Sequence, residues 1–257
     1  MNEAARFAVL LARPEIRDPM ALAKALAAAR KTPLQDQMMT AKNGWGILAE
    51  NLAEAEARSL VAALGTSGVE SLALPAASLV KLPEAKPVTA MESIPTASLV
   101  LVAAAAFNVT STTTKSVREG PNAAQKVLST AILLGTGIPI KIGGKERTVE
   151  KTQQHSDLVF YLDLVYKDPP QRLRVDAVHF NYAFLQERKQ YQVLANFKLL
   201  IGDLIQAAPD AWKNHGTHVL LENKPLQTMG YGSLSDLERE TRWLLTLMST
   251  MRNHGAV

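Results

Sequence analysis

The residues best suited to chemistry crowd between positions 155 and 179: His155, Asp157, Asp163, Asp168, Asp176 and His179. Carboxylates beside imidazoles are the usual material of metal ligation and general acid–base catalysis, so a hydrolase or metal-dependent enzyme using this hairpin is one reading. Strand alternation argues against it. Leu158, Phe160, Leu162, Leu164 and Tyr166 share one face, which leaves Asp163 with Val159, Tyr161 and Val165 on the other, and Asp176 on the face of Arg172 and Arg174. Cross-strand pairing with these arginines, or with solvent on an open face, explains both acids without catalysis. Asp168 precedes Pro169 and Pro170 and serves a turn.

A second cluster, His215 and His218 with Glu222, has a spacing that shares a face only on a helix, whereas Gly216 and the run Thr217–Leu221 read as loop into strand. Gly135-Thr136-Gly137 and Gly143-Gly144-Lys145 lack the spacing of a Walker loop or a dinucleotide fingerprint. The hydroxyl run 110–114 has no partnered base, and Trp45, Trp212 and Trp243 are too scattered for a stacking platform, so they are assigned to packing. The sequence therefore assigns no catalytic residue, no cofactor-binding residue and no metal ligand.

The elements that would position these side chains are legible. Phe7–Ala12 reads as a strand, Asp18-Pro19 as the cap of a first helix, Thr32-Pro33 as the opening of a second that Asn43-Gly44 closes, and Trp45–Leu48 as a strand. Asn51 and Glu54 have capping-box spacing for a third helix ending near Gly65 to Gly68, and Val69–Leu74 returns as a strand. Pro75, Pro83, Pro87 and Pro95 then mark a linker at 85–96. Beyond it come a strand at 98–109, a polar turn at 110–115, a helix at 123–134 and a glycine hairpin at 138–149. The strand pair within 158–182 follows, covered on one side only, then a helix from Glu187 to Ala208. A closing helix, Ser233–Met251, has Ser235 and Glu238 at capping-box spacing and Leu237, Leu244, Met248 and Met251 on one stripe. The fold class is α+β in two domains: a small β-α-α-β-α-β unit at 1–84 and a mainly antiparallel, hairpin-rich domain at 97–257.

Composition narrows the function classes. A hydrophobic share of 47% with 20% charged residues is that of a folded globular chain, and no apolar run approaches the roughly 20 residues of a membrane span. Asn2-Glu3 before a short apolar run does not resemble a secretory leader, and the expected location is cytoplasmic without integral membrane contact. The absence of cysteine excludes disulfides, thiolate zinc sites and thiol nucleophiles. Residues 1–84 carry nine basic and nine acidic side chains, so the net charge of +4 lies in the remainder. Lys115, Arg118, Lys126, Lys141, Lys145, Arg147 and Lys151 form a basic cluster without interleaved aromatics, a solvated face more than a nucleic-acid surface, with weak anionic-lipid or nucleic-acid binding as an alternative.

The order of elements over 7–75, carried by Gly46-Ile-Leu-Ala-Glu-Asn-Leu-Ala-Glu and the Gly-Val turn at Gly68-Val69, resembles the C-terminal domain of ribosomal protein L7/L12 and the related Clp protease adaptors. That resemblance implies a small α/β fold; the acidic substrate-binding features of an adaptor are absent from Met38-Met39-Thr40-Ala41-Lys42, so the function does not transfer. Residues 98–206 resemble, in topology, the bacterial versions of the pleckstrin-homology-like fold, which implies a module for peptide, protein or lipid headgroups. Arg172–Asp176 and Glu238–Leu245 resemble segments of bacterial proteins without an assigned activity. The expectation is a non-enzymatic protein- or peptide-binding module acting without a cofactor.

Overall fold

A computed structural model describes residues 5–14, 18–119 and 147–254. The chain is α+β, and the described residues form a three-stranded and a five-stranded sheet. Strand β1 (Phe7–Leu11) is central in the smaller sheet, antiparallel to β2 (Ile47–Leu52) on one side and to β3 (Ser71–Pro75) on the other. Helices α1 (Pro19–Arg30), α2 (Leu34–Asn43) and α3 (Glu54–Thr66) complete the expected β-α-α-β-α-β order.

Local chemistry sets these boundaries. The Asp18 carboxylate accepts from the Met20 amide at 2.9 Å, with Pro19 at the first helical position, as the sequence predicts. Three finer expectations are corrected. Helix α2 starts after Pro33, and Thr32 instead receives a bond from Gln37 at 3.1 Å. The left-handed residues after α2 are Trp45 and Gly46, at φ 46° and 83°, while Gly44 stays right-handed. The cap of α3 is set by Glu56, which accepts from the Ala53 amide at 3.1 Å, so Asn51 is not its cap.

The larger sheet has the order β4-β7-β6-β5-β8, from β4 (Ala85–Val88), β5 (Leu99–Glu119), β6 (Arg147–Tyr166), β7 (Gln171–Asp176) and β8 (Trp212–Lys213). Strands β6 and β7 form the expected antiparallel pair, with Asp163 opposite Arg174 and Tyr161 opposite Asp176. The expected linker at 85–96 is not a free tether: β4 lies parallel to β7, with Pro87 opposite Arg174. Proline is tolerated there because an edge strand needs partners on one side only. The backbone at 110–115, read as a turn, continues as strand. The expected helix at 123–134 and most of the glycine hairpin lie outside the described residues.

Helix α4 (Val193–Ala207) starts six residues later than Glu187, because the preceding segment forms 3-10 turns. Helix α5 (His215–Leu221) replaces the strand expected at 217–221. Asn214 caps it by accepting from the Thr217 amide at 2.9 Å, and this cap with near-complete burial overrides the β preference of Thr217 and Val219. Helix α6 (Leu234–His254) closes the described chain. Its start is held by Asp236, which accepts from the Gly232 and Ser233 amides, so the expected Ser235/Glu238 box is not used. Leu237, Leu244 and Met248 are buried as predicted, but Met251 is exposed.

The compact units are cut elsewhere than at 85–96: Met1–Asn108 with Leu158–Val257 form one, and Val109–Asp157 the other. In the second unit the described residues are strand, 109–119 of β5 and 147–157 of β6. In the first, Leu101–Phe107 of β5 are all buried, so the sheet is covered on both faces, where the sequence led us to expect one. Phe160 packs on Phe197 of α4, with centroids 6.0 Å apart, while Asp163 on the opposite face shares Arg174 with Glu238 of α6. Helix α6 also serves the smaller sheet. Trp243 donates from Nε1 to the Leu11 carbonyl at 3.0 Å, and Arg239 donates to the Gly44 carbonyl at 2.9 Å. Gly46 accommodates this approach, since a Cβ there would lie 1.9 Å from the Trp243 ring.

Candidate functional site

Two buried polar clusters flank α6. In the first, Asn214 joins β5 to α5 and α6: its Oδ1 accepts from the Ala104 amide at 2.9 Å, and its Nδ2 donates to Glu240 at 2.9 Å and to Tyr231 at 2.8 Å. Tyr231 donates to Glu240 through a short bond, and the His215 amide donates to the same carboxylate at 3.0 Å. Glu240 is 1% exposed, and burial pushes its carboxyl above the usual range against the pull of these donors. The Tyr231 hydroxyl is raised by burial and by the neighbouring carboxylate. Gly216 is required here because a Cβ would meet the Ala104 carbonyl at 2.0 Å. Tyr231 stacks on Trp45 with centroids 4.3 Å apart, so the network fixes the segment Gly230–Ser233 against the smaller sheet.

That fixed segment forms one wall of a cleft of about 710 Å³. The opposite wall is β5 at Ala106–Asn108, with Leu158 of β6, and the rim carries Lys42, Asn43 and Gln227. Lys42, Asn43, Asn108 and Gln227, with the Ser233 hydroxyl, make no side-chain hydrogen bond or ion pair among the described residues, and Leu158 is 43% exposed. The strand edge bears on the same cleft. Strand β8 pairs with β5 only at Leu101 and Val102, and Asn214 and Thr217 then occupy the Ala104 peptide. Alternation turns the peptide groups of Ala106 and Asn108 to that same side, beyond the last partner. A smaller apolar pocket of about 340 Å³, lined by Leu22, Met38, Trp45 and Met229, adjoins the cleft through Lys42 and Gly230.

The second cluster takes up the acid on which an enzymatic reading would rest. Asp163 is fully buried and is held at 2.7 Å by both Arg174 Nε and Nη2, with Arg172 at 3.3 Å. Glu238 completes the quartet at 2.9 Å from Arg174 and 3.2 Å from Arg172. Burial opposes the Arg174 charge, but the bonds to Asp163 and Glu238 outweigh it and hold the guanidinium above its ordinary value. The arginine partners are those the strand pattern predicts; the solvent is not. Removing one member of a buried pair costs about 3–5 kcal/mol, against about 0–1 kcal/mol for an exposed pair, because it strands the other charge.

The remaining candidates are dispersed. Asp176 accepts from the Val178 amide at 3.0 Å and pairs with His179 at 2.8 Å, Asp157 is exposed, and Asp168 stands in the exposed turn before Pro169. His215 and His218 do share a short helix, yet His215 Nε2 bonds the Thr228 carbonyl at 2.9 Å, and His218 faces Glu222 at 3.7 Å. His218 is held below its ordinary value, first by burial and then by its neighbours Lys213, His215 and Lys224, against the opposing pull of Glu222. Among the described residues no three His, Asp or Glu side chains come together as a metal site, and no helix is long and apolar enough to cross a membrane. The glycine motifs at 135–137 and 143–145, the side chain of His155 and all of the basic cluster at 115–151 lie outside the residues or side chains described. Trp45 and Trp243 are buried in packing.

Comparison with protein-family models, curated proteins and solved structures returned no match. The cleft residues were missed by reading along the chain because Asn43, Asn108 and Gln227 belong to three distant segments. One signal was available for the network beneath them. Glu240 falls three residues after Leu237 and four before Leu244, on the apolar stripe itself, where an acid must find donors.

Proposed function

We propose that the protein binds an extended peptide segment of a partner protein in the cleft between β5 and Gly230–Ser233, without performing chemistry on it. The observation that carries the reading is the coincidence, in one cleft, of unengaged amide, hydroxyl and ammonium side chains with the end of pairing on the β5 edge. A peptide adding alongside Ala106–Asn108 gains main-chain hydrogen bonds, and alternate side chains then reach the walls. Leu158 supplies apolar contact area, and the pocket lined by Trp45 accepts one apolar anchor from the ligand. The α/β topology of residues 7–75 and the described strands Leu99–Glu119, Arg147–Tyr166 and Gln171–Asp176 support the adaptor-like and pleckstrin-homology-like resemblances, both of which belong to this proposal.

Selection of random displayed peptides against the full chain tests it. The reading expects enriched sequences with one apolar anchor and alternating polar positions, and a loss of binding of about tenfold or more on Asn43→Ala with Gln227→Ala, the scale of two lost hydrogen bonds. Failure to enrich any peptide, or enrichment indifferent to both substitutions, would remove the cleft as a peptide site.

A further inference from the structure

The same unit holds a groove of different chemistry that shares no lining residue with the cleft and is independent of the peptide reading. Its floor is Val80, Val100, Val165, Leu245 and Met248, and it encloses about 500 Å³, within the range of small-molecule sites. Lys81, Lys167 and Arg252 stand on its rim, and among the described residues its lining contains no acidic one. None of these three cations has a side-chain partner among the described residues. Of its neutral polar side chains, Tyr166 is committed to the Pro95 carbonyl at 2.8 Å, which leaves Ser249. An alkyl chain needs no hydrogen-bonding partner on an apolar floor, and the three cations ask for one anionic group.

We infer that this groove is a binding site for a free fatty carboxylate, with its alkyl chain on the valine, leucine and methionine floor and its carboxylate among Lys81, Lys167 and Arg252. The floor supplies affinity through burial of apolar surface, while the three cations without counter-charges supply the sign of the headgroup. Arg252 can bind a carboxylate bidentately, and the two lysines act as point charges.

Binding of dansyl-aminoundecanoate to the full chain, followed by fluorescence and displaced by unlabelled ligands below their micelle concentrations, tests the assignment. Saturable binding at one site is expected, with decanoate displacing the probe and decanol or decyltrimethylammonium needing about tenfold higher concentration or more, since neither brings an anion to the cations. Added salt should weaken the probe by screening. Combined Lys81→Gln, Lys167→Gln and Arg252→Gln, with melting temperature checked, should raise the dissociation constant about tenfold or more, and Leu245→Gln should also weaken it. Asn43→Ala with Gln227→Ala should leave it unchanged, which separates this site from the peptide cleft. Absence of saturable binding, equal displacement by the alcohol, indifference to the triple substitution, or binding only to phosphatidylglycerol vesicles and not to monomeric decanoate would each overturn the proposal.

Discussion

The peptide cleft and the rim groove are both concave, of similar size and bounded in part by α6, yet they differ in what their walls leave unsatisfied. In the cleft the unengaged groups are amides and a hydroxyl beside a strand edge, with Lys42 the cation; in the groove they are three cations above hydrocarbon. The difference teaches that volume does not select a ligand. Unengaged donors and acceptors do, because each must be matched when water is displaced. The cleft suits a polymer with regular hydrogen-bonding groups, and the groove suits a chain with one charge.

The two surfaces should respond unequally to changes beneath them. Glu240→Ala leaves Asn214, the His215 amide and Tyr231 without their shared acceptor, and should lower stability by about 3–5 kcal/mol, read by urea denaturation. Peptide binding should fall with it while carboxylate binding persists in the folded fraction, since no groove residue touches this network. A loss below about 0.5 kcal/mol would show that Glu240 does not organise the cleft wall. Gly46→Ala should cost about 2–4 kcal/mol, because the side chain meets both a positive φ and the Trp243 ring. Here both surfaces should suffer, as α6 supports each; an unaltered melting temperature would contradict that shared role.

Much of this was legible along the chain, and the limits are physical. The β-α-α-β-α-β order, the Asp18 cap and the pairing of β6 with β7 follow from spacing that local interactions enforce. Burial of the second face of the larger sheet does not, because it depends on Glu238 meeting Arg174 across 64 residues. The strand expected at Thr217–Leu221 failed for a related reason: the β preference of Thr217 and Val219 is overridden by the Asn214 cap and by the Ala104 contact, made across 110 residues, that hold this run in a helix. The cleft was invisible because none of its amides has a motif neighbour; three segments had to be brought together first.

Smaller effects sharpen the contrast. Lys42→Ala, Gln227→Ala, Lys81→Gln and Lys167→Gln should each change stability by less than about 0.5 kcal/mol, since none has a partner to lose. Carboxylate binding should weaken with salt far more than peptide binding. Tyrosine ionisation separates the regions spectroscopically. Burial raises Tyr166 at the groove from an ordinary value of 10.0 to about 12, and Tyr231 at the cleft is raised well above 10.0. A raised tyrosine stabilises the fold fully below its unfolded value and loses that contribution as pH climbs to the folded one, so stability should decline between about pH 10 and 12. Tyr166→Phe should remove part of that decline and leave the ultraviolet titration near pH 10 unchanged; loss of one ordinary tyrosine from that range in the variant would contradict the burial of its hydroxyl.

The most direct measurement of the central claim is amide hydrogen exchange in the full chain with and without a selected peptide. Strand addition predicts that Ala106 and Asn108 exchange at least about tenfold more slowly in the complex, because their N–H groups acquire partners where β8 has ended. Unchanged exchange at both residues in a saturated complex, with protection elsewhere, would contradict the account.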